Sequence, residues 1–291
     1  MRGRYLRFPG GKSKAVTFSY DDGVTADVRF SDLLTKYNLK GTFNLNGEGL
    51  RDSGVMTRDE VIEHILNKGH EIAVHGYFHR AEGMLRPIEG IREVLDCRLE
   101  LEAKYGVIIR GMAYPNWGIT QFTNSVTYDM VKTYLNELEI AYARSLGADN
   151  NLFRLPNDWH NWIPTAHHNN PQIMEYIDKF LAIDMDKIPD YYNREPNLFY
   201  LWGHSYEFDN NNNWDHAEEI CKKLSGKSDT WYATNIEIYE YVEAYRSLVY
   251  SADGLTVYNP TAKDVWFDTD GKISCVKSGE TIRIDYLYKK F

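Results

Sequence analysis

The chain has 291 residues, 43% hydrophobic and 26% charged, which suits one large α/β domain and excludes a disordered or fibrous protein. Its 33 Lys and Arg against 42 Asp and Glu give a net charge of −9 with no basic run, so the field repels phosphate backbones and nucleic acid is not an expected partner. No segment approaches the ~20 apolar residues of a membrane span, so a membrane is not expected either.

From the N-terminus, Met1 to Lys14 is basic and lacks the apolar stretch of roughly 7–15 residues that a signal peptide needs, so a cytoplasmic protein is expected. The run from Lys14 to Tyr20 is β-rich and ends at Asp21-Asp22-Gly23, which reads as a strand followed by a turn. A helical stretch to about Tyr37 leads to a short strand in Gly41 to Asn46. Thr57 with Glu60 forms a capping box before Val61, Ile62 and Ile65, and Gly69 closes that helix. Glu71 to Val74 is a third strand delivering His75 at its end. Ile88, Ile91, Leu95 and Leu99 repeat at helical spacing up to Gly106, and an apolar run from Val107 to Ala113 follows. Asn170-Pro171 starts another helix with Ile173, Ile177, Phe180 and Leu181 on one face. The strand Leu198 to Trp202 then places His204 just past its end.

This βαβα rhythm predicts a parallel sheet that can close into a barrel, with chemistry at the carboxyl ends of its strands. Residues 21 and 22, 75 to 79, and 204 all follow predicted strands. After about Leu248 the pattern changes to short β runs, Leu255 to Tyr258, Val265 to Phe267, Ile273 to Val276 and Thr281 to Tyr286, with Asp270-Gly271 as a hairpin turn. The expected division is a barrel over 1–247 and a small β-rich appendage over 248–291, which caps the barrel, contacts a partner copy or binds carbohydrate. The three cysteines, Cys97, Cys221 and Cys275, are isolated and read as structural thiols.

His75 and His79 are spaced i, i+4, which on a helical turn would put both imidazoles on one face to share a cation. A carboxylate from an earlier strand end would complete a two-histidine, one-carboxylate set with coordination positions left open for catalysis. Asp-Asp-Gly is also an ordinary turn sequence. Neighbouring side chains at a strand end point different ways, however, so one carboxylate can ligate while the other faces a water.

SYDDG at 19–23, GTFNLNG at 41–47, GHEIAVHGYFH at 69–79 and LWGH at 201–204 resemble, in order and spacing, the successive motifs of the polysaccharide deacetylases, carbohydrate esterase family 4, over roughly residues 12 to 245. The resemblance implies a distorted (β/α)7 barrel. It implies Asp21 as general base, with Asp22, His75 and His79 holding one divalent metal. That metal is zinc by preference, with cobalt, nickel or manganese tolerated by the same donors. It implies His204 as the acid that protonates the leaving group, and an oxyanion N–H in the Tyr114 segment. The Asp-Trp element of the family's fourth motif is matched by Asp158-Trp159, with Trp162, His167 and His168 nearby. Tyr114, Trp117, Asp158 and Trp159 are therefore the expected substrate contacts.

The chain departs from the family pattern in two places. Gly76 stands where Ser or Thr usually fixes the loop after the first histidine, and the Arg that precedes a Pro-Tyr pair in the third motif is missing. Arg110 or Arg154 is the candidate replacement beside Asp21. Glu207 and Asp209 are candidates to orient His204. The expected activity is removal of acetyl groups from N- or O-acetylated sugars. Hydrolysis of a non-sugar amide or ester on the same site, and an inactive metal-bearing carbohydrate-binding protein, are the alternatives; Asp21 and His204, two proton-transfer groups, speak against the last.

Overall fold

A computed structural model describes residues 3–48, 54–123, 125–189 and 192–284. Eight strands form one all-parallel sheet in the order β6-β5-β4-β3-β2-β8-β7: Tyr142–Arg144, Gly111–Ala113, Glu71–Val74, Gly41–Leu45, Lys14–Asp21, Asn197–Gly203 and Ala166–His167. The remaining strand, β9 (Thr230–Tyr232), pairs with the first half of β2. Helices α1 (Ala26–Lys36), α3 (Pro87–Tyr105), α4 (Tyr128–Glu137), α5 (Ile173–Ala182) and α7 (Trp214–Leu224) cover its outer face. All eight residues of β2 are buried, as a strand enclosed on both faces requires. The result is the distorted (β/α)7 barrel that the family resemblance implies, built on the parallel sheet that the alternation predicts. The distortion has a visible cause: β6 and β7 do not pair. On the β6 side of the gap Trp162 forms an isolated bridge, its backbone N–H donating to the Ala143 carbonyl and its carbonyl accepting from the Ser145 N–H.

Strand register sets the height of each functional residue. Asp21 lies opposite Asn44, Asn44 opposite Ala73, Val74 opposite Met112, Ala113 opposite Arg144, and Tyr20 opposite Gly203. The residues at or just past these strand ends therefore converge on one rim. The other end is sealed by α8 (Asn235–Arg246). The Asn235 side chain accepts from Thr17 and donates to Tyr200, and the Ile236 N–H donates to Glu71, which also accepts from Thr42 and Tyr142.

The capping box at Thr57 and Glu60 is present in both directions. It opens a helix that begins as α2 (Arg58–Glu60), widens to a π-turn at Val61–Ile65 and tightens to 3-10 geometry before Gly69 at φ 76°. The predicted face of α3 is offset. Ile88 and Leu99 are exposed, and the buried stripe is Gly90, Val94, Cys97 and Leu101. Gly90 belongs to this stripe because a Cβ there would lie 2.5 Å from the Tyr134 hydroxyl of α4. The apolar run from Val107 becomes a strand only over Gly111–Ala113. Among the described residues no helix is long and apolar enough to cross a membrane.

The C-terminal β runs form two antiparallel sheets. One joins β10 (Val249–Tyr250), β11 (Thr256–Tyr258) and β14 (Thr281–Arg283); Tyr286, expected in the last strand, lies outside the described residues. The other contains β12 (Val265–Thr269) and β13 (Lys272–Val276), joined through Asp270 and Gly271, both at positive φ as a type I′ turn demands. Its third strand is β1 (Arg4–Arg7), from the other end of the chain, which sequence patterning did not predict. A buried charge cluster fastens this sheet: Asp268, fully buried, pairs with both Arg7 and Arg194. Removing one partner from a buried ion cluster leaves uncompensated charge, at a cost of about 3–5 kcal/mol. Asp268→Asn is expected to lower unfolding stability by that amount in urea titration; a loss below about 1 kcal/mol would show that backbone pairing, not charge, holds β1 in place.

Candidate active site

Asp21 ends β2 with its side chain buried inside the barrel rim, and Asp22 turns back at φ 81° in the left-handed region. Gly23 follows at φ 66°, where a Cβ would stand 2.7 Å from Leu45. This turn brings both carboxylates to the same side. The neighbouring β3 and the residue past its end hold them: Asn44 donates to Asp21 at 2.8 Å, and Asn46 to Asp22 at 3.3 Å.

His75 follows β4 directly. Its Nδ1 lies 2.9 Å from the Ala113 carbonyl. A carbonyl can only accept, so Nδ1 carries the hydrogen and Nε2 presents its lone pair to the site. His79 is not on a helical turn with His75, as the spacing suggested. The two stand on a non-helical loop bent by Gly76 (φ 88°) and by His79 itself (φ 56°), which brings the ring centroids to 4.9 Å. Glu93, a buried acid on α3, fixes this loop by accepting the Phe78 and Arg80 N–H groups at 2.6 and 3.1 Å. A Cβ at Gly76 would sit 3.0 Å from that same carboxylate. The loop is thus anchored by Glu93 rather than by a hydroxyl at position 76. Asn116 completes the support, donating its amide to the His79 carbonyl at 2.6 Å.

Asp22 Oδ1 stands 3.6 Å from His75 Nε2 and 3.4 Å from His79 Nε2, and the three donors lie within 4.8 Å of one another. Two ligands bonded at ~2.1 Å to one tetrahedral ion are separated by about 3.4 Å, so the spacing fits a divalent cation. Burial and the nearby His75 hold His79 below the ordinary imidazole value, which favours the neutral ring a metal requires.

The partner of Asp21 is Arg144, at the end of β6, and neither Arg110 nor Arg154. Arg110 lies over the Tyr239 ring, and Arg154 lines a separate groove with Asp149 and Tyr245. The Arg144 guanidinium is fully buried and stacks 4.4 Å over Trp202. Burial disfavours a charged Asp21, but Arg144 foremost, then His75, His204 and the Asn44 amide, outweigh it and hold the carboxyl below its usual range.

His204 approaches from the opposite side, with Nε2 3.9 Å from both Asp21 Oδ2 and Asp22 Oδ2. Its Nδ1 lies 3.0 Å from Glu207. Burial lowers the His204 pKa, and Glu207, Asp21 and Asp22 together raise it above the ordinary value. Asp209 is not involved; it accepts from the Trp214 indole.

The other expected contacts divide. Trp117 is more than half exposed, on the turn that carries Asn116. Tyr114 is buried, and both of its donors are paired: its N–H donates to the Arg144 carbonyl and its hydroxyl to the His160 carbonyl. Asp158 accepts from Tyr128 and Lys132, and Trp159 donates to Glu243 on α8. Both brace the barrel wall rather than the cluster of charged groups around Asp21. His167, His204 and Glu207 form a second group with metal-like spacing. Here His167 Nδ1 accepts the Asn169 backbone N–H, and Glu207, 3.4 Å from His167 Nε2, accepts the Asn169 side-chain amide and pairs with His204 Nδ1. That carboxylate is satisfied by N–H donors and needs no cation.

No curated protein sequence matches this chain significantly. Residues 8–157, just over half of the chain, match the polysaccharide deacetylase family model. A structure from Mycobacterium smegmatis assigned as a polysaccharide deacetylase superposes with a TM-score of 0.54 at 16% identity, covering 84% of this chain and 96% of that one. A mutant of the Bacillus subtilis peptidoglycan deacetylase PdaC gives 0.51 at 18% identity, covering 82% and 95%. At such identities the likeness is one of fold, whereas the family match is carried by the sequence around β2 to β5, where the paired aspartates and the two histidines stand. The chain belongs to the polysaccharide deacetylases, carbohydrate esterase family 4, a family of hydrolases that take acetylated carbohydrate.

Proposed function

We propose that this protein is a divalent-metal-dependent deacetylase of N- or O-acetylated sugars, with Asp22, His75 and His79 as metal ligands, Asp21 as general base and His204 as general acid. The observation that carries the reading is the His75 ring, whose lone pair is turned by the Ala113 carbonyl toward Asp22 and His79, with Asp21 and His204 flanking the same point. Zinc suits one carboxylate and two imidazoles, and cobalt is accepted by the same donors. A cation bound there supplies a Lewis acid that lowers the pKa of water and polarises the acyl oxygen.

The protein's own groups do the proton work. Asp21, kept anionic by Arg144, takes the proton from the attacking water. His204 delivers a proton from Nε2 to the departing amine or alkoxide, and Glu207 stabilises the imidazolium from the far side of the ring. Trp117, exposed beside the His79 support, offers a flat face for a sugar ring. The two separate supports, Arg144 for the base and Glu207 for the acid, favour an enzyme over an inactive binder, which has no use for either.

Chelator treatment is expected to abolish acetate release from acetylated amino-sugar oligomers or acetylated xylan, and zinc or cobalt to restore it. Asp21→Asn should keep metal stoichiometry while lowering kcat on the order of 10²–10⁴-fold, the range of a lost acid/base group, and His75→Ala should lose metal and activity together. Equal metal loss in both variants would mean the roles of the two aspartates are exchanged. Arg144→Met, which strands a buried carboxylate, is expected to cost about 3–5 kcal/mol in urea unfolding; an unchanged midpoint would show Asp21 to be neutral in the folded protein.

A further inference from the structure

We infer that Asn169 is a positioning residue for the reaction: its side-chain amide holds Glu207, and Glu207 in turn holds the acid His204. The inference rests on the assignment of His204 as the proton donor. Glu207 divides its two oxygens. Oε2 accepts the Asn169 Nδ2 amide at 2.6 Å, and Oε1 lies 3.0 Å from His204 Nδ1. An ionised carboxylate accepts and cannot donate, so Asn169 turns its nitrogen to Glu207, and the facing nitrogen of His204 carries a hydrogen. With Nδ1 engaged in this way, Nε2 is left toward Asp21 and Asp22, 3.9 Å from an oxygen of each.

Glu207 needs such a holder. It stands on the five-residue helix α6 (Tyr206–Asn210), and a glutamate side chain keeps its rotamer freedom unless a contact removes it. The Glu207 N–H donates to the His204 carbonyl at 3.1 Å, which fixes main chain and leaves the carboxylate free to turn. Held by Asn169 at one oxygen, the carboxylate keeps the other on the His204 ring.

Asn169 can serve because its own backbone is fixed to the strand that carries the acid. β7 pairs with β8 through Ala166 opposite Leu201 and His167 opposite Trp202, and the His168 N–H extends the pairing by donating to the Trp202 carbonyl at 2.9 Å. The chain then turns tightly. The Asn169 N–H donates to His167 Nδ1 at 3.1 Å and the Asn170 N–H to the His167 carbonyl at 2.9 Å. The Asn169 amide and the His204 ring thus stand past the ends of two paired strands, and Glu207 spans the distance between them. Asn169 is itself exposed, so an exchange there leaves core packing untouched and is expected to register in turnover rather than in folding.

The test is a comparison of leaving groups. A sugar amine or alkoxide must be protonated to depart, whereas 4-nitrophenolate leaves without help, so a well-placed acid matters for the sugar and little for 4-nitrophenyl acetate. The sugar substrate is whichever of an N-acetylated amino-sugar oligomer and acetylated xylan the unaltered protein hydrolyses. Asn169→Ala, which removes the N–H, is expected to lower kcat on that sugar by about 3- to 30-fold, with KM, bound metal and the urea midpoint unchanged, and to lower aryl-ester turnover by less than about twofold. Asn169→Gln, which still offers an amide N–H, should recover part of the sugar activity. Asn169→Asp, which sets a second carboxylate against Glu207, should lose at least as much as the Ala variant.

Equal losses on both substrates, or none on either, would overturn the inference and leave Asn169 a turn residue. His204→Ala separates this from a failure of the underlying reading. If it spares the sugar reaction, or if the unaltered protein hydrolyses neither sugar, the assignment of His204 fails and the inference falls with it. If His204→Ala abolishes the sugar reaction while Asn169→Ala does not reduce it, only the inference falls.

Discussion

A buried, charged carboxylate sets the terms for the rest of this site. Asp21 is almost wholly removed from water, and a lone carboxylate in that position would take up a proton rather than remain an anion. The chain compensates from four directions at once: Arg144 from β6, His75 from β4, Asn44 from β3 and His204 from the end of β8. Each comes from a different strand, so the compensation requires the parallel sheet to be in register. A one-residue slip of any of these strands would turn its contributor to the other face and leave either Asp21 or Arg144 buried without a partner. The electrostatics and the fold are therefore one constraint.

The backbone carries a second one. Asp22, His79 and Asn116 have positive φ without being glycine, and Gly23 and Gly76 sit beside two of them. Such conformations are disfavoured for side-chain-bearing residues and persist only where the surroundings over-determine them. Here the surroundings are identifiable: Asn46 on Asp22, Glu93 on the His79 loop, and the Asn116 amide on the His79 carbonyl. The arrangement of Asp22, His75 and His79 is thus held by folding contacts.

The sequence makes legible what depends on local pattern. Strand ends at Asp21, Val74 and Gly203 follow from short β-rich runs stopped by turn residues, and these alone put Asp21, Asp22, His75 and His204 on one rim. What it does not show depends on contacts between distant segments. Arg144 lies in a three-residue strand, too short to show an alternating pattern, whereas Arg110 and Arg154 stand nearer recognisable motif residues. Glu93 stands in the stripe that α3 buries, beside Val94 and Cys97 and off the expected stripe of Ile88, Ile91, Leu95 and Leu99, and an acid on a buried helix face needs a partner. Asp158-Trp159 matched by residue type, yet Tyr128, Lys132 and Glu243, far apart in sequence, decide where those two side chains go. The pairing of β1 with β12 is equally invisible locally, because it joins the two ends of the chain.

Two glutamates, Glu93 and Glu207, do comparable work on opposite sides of the site, and the comparison explains why His204 needs more support. Glu93 binds backbone N–H groups and so fixes a loop, after which the His79 ring follows from its own backbone. Glu207 binds a ring nitrogen of His204 directly, and a ring can rotate even when its backbone is still. Holding it requires the carboxylate itself to be immobile, which a helix of five residues at the protein surface does not provide. The Asn169 side-chain amide, which Glu207 Oε2 accepts at 2.6 Å, supplies that restraint from just past β7. His204 at the rim is in this way tied to a neighbouring loop, whereas the loop of His79 is tied to the neighbouring helix α3.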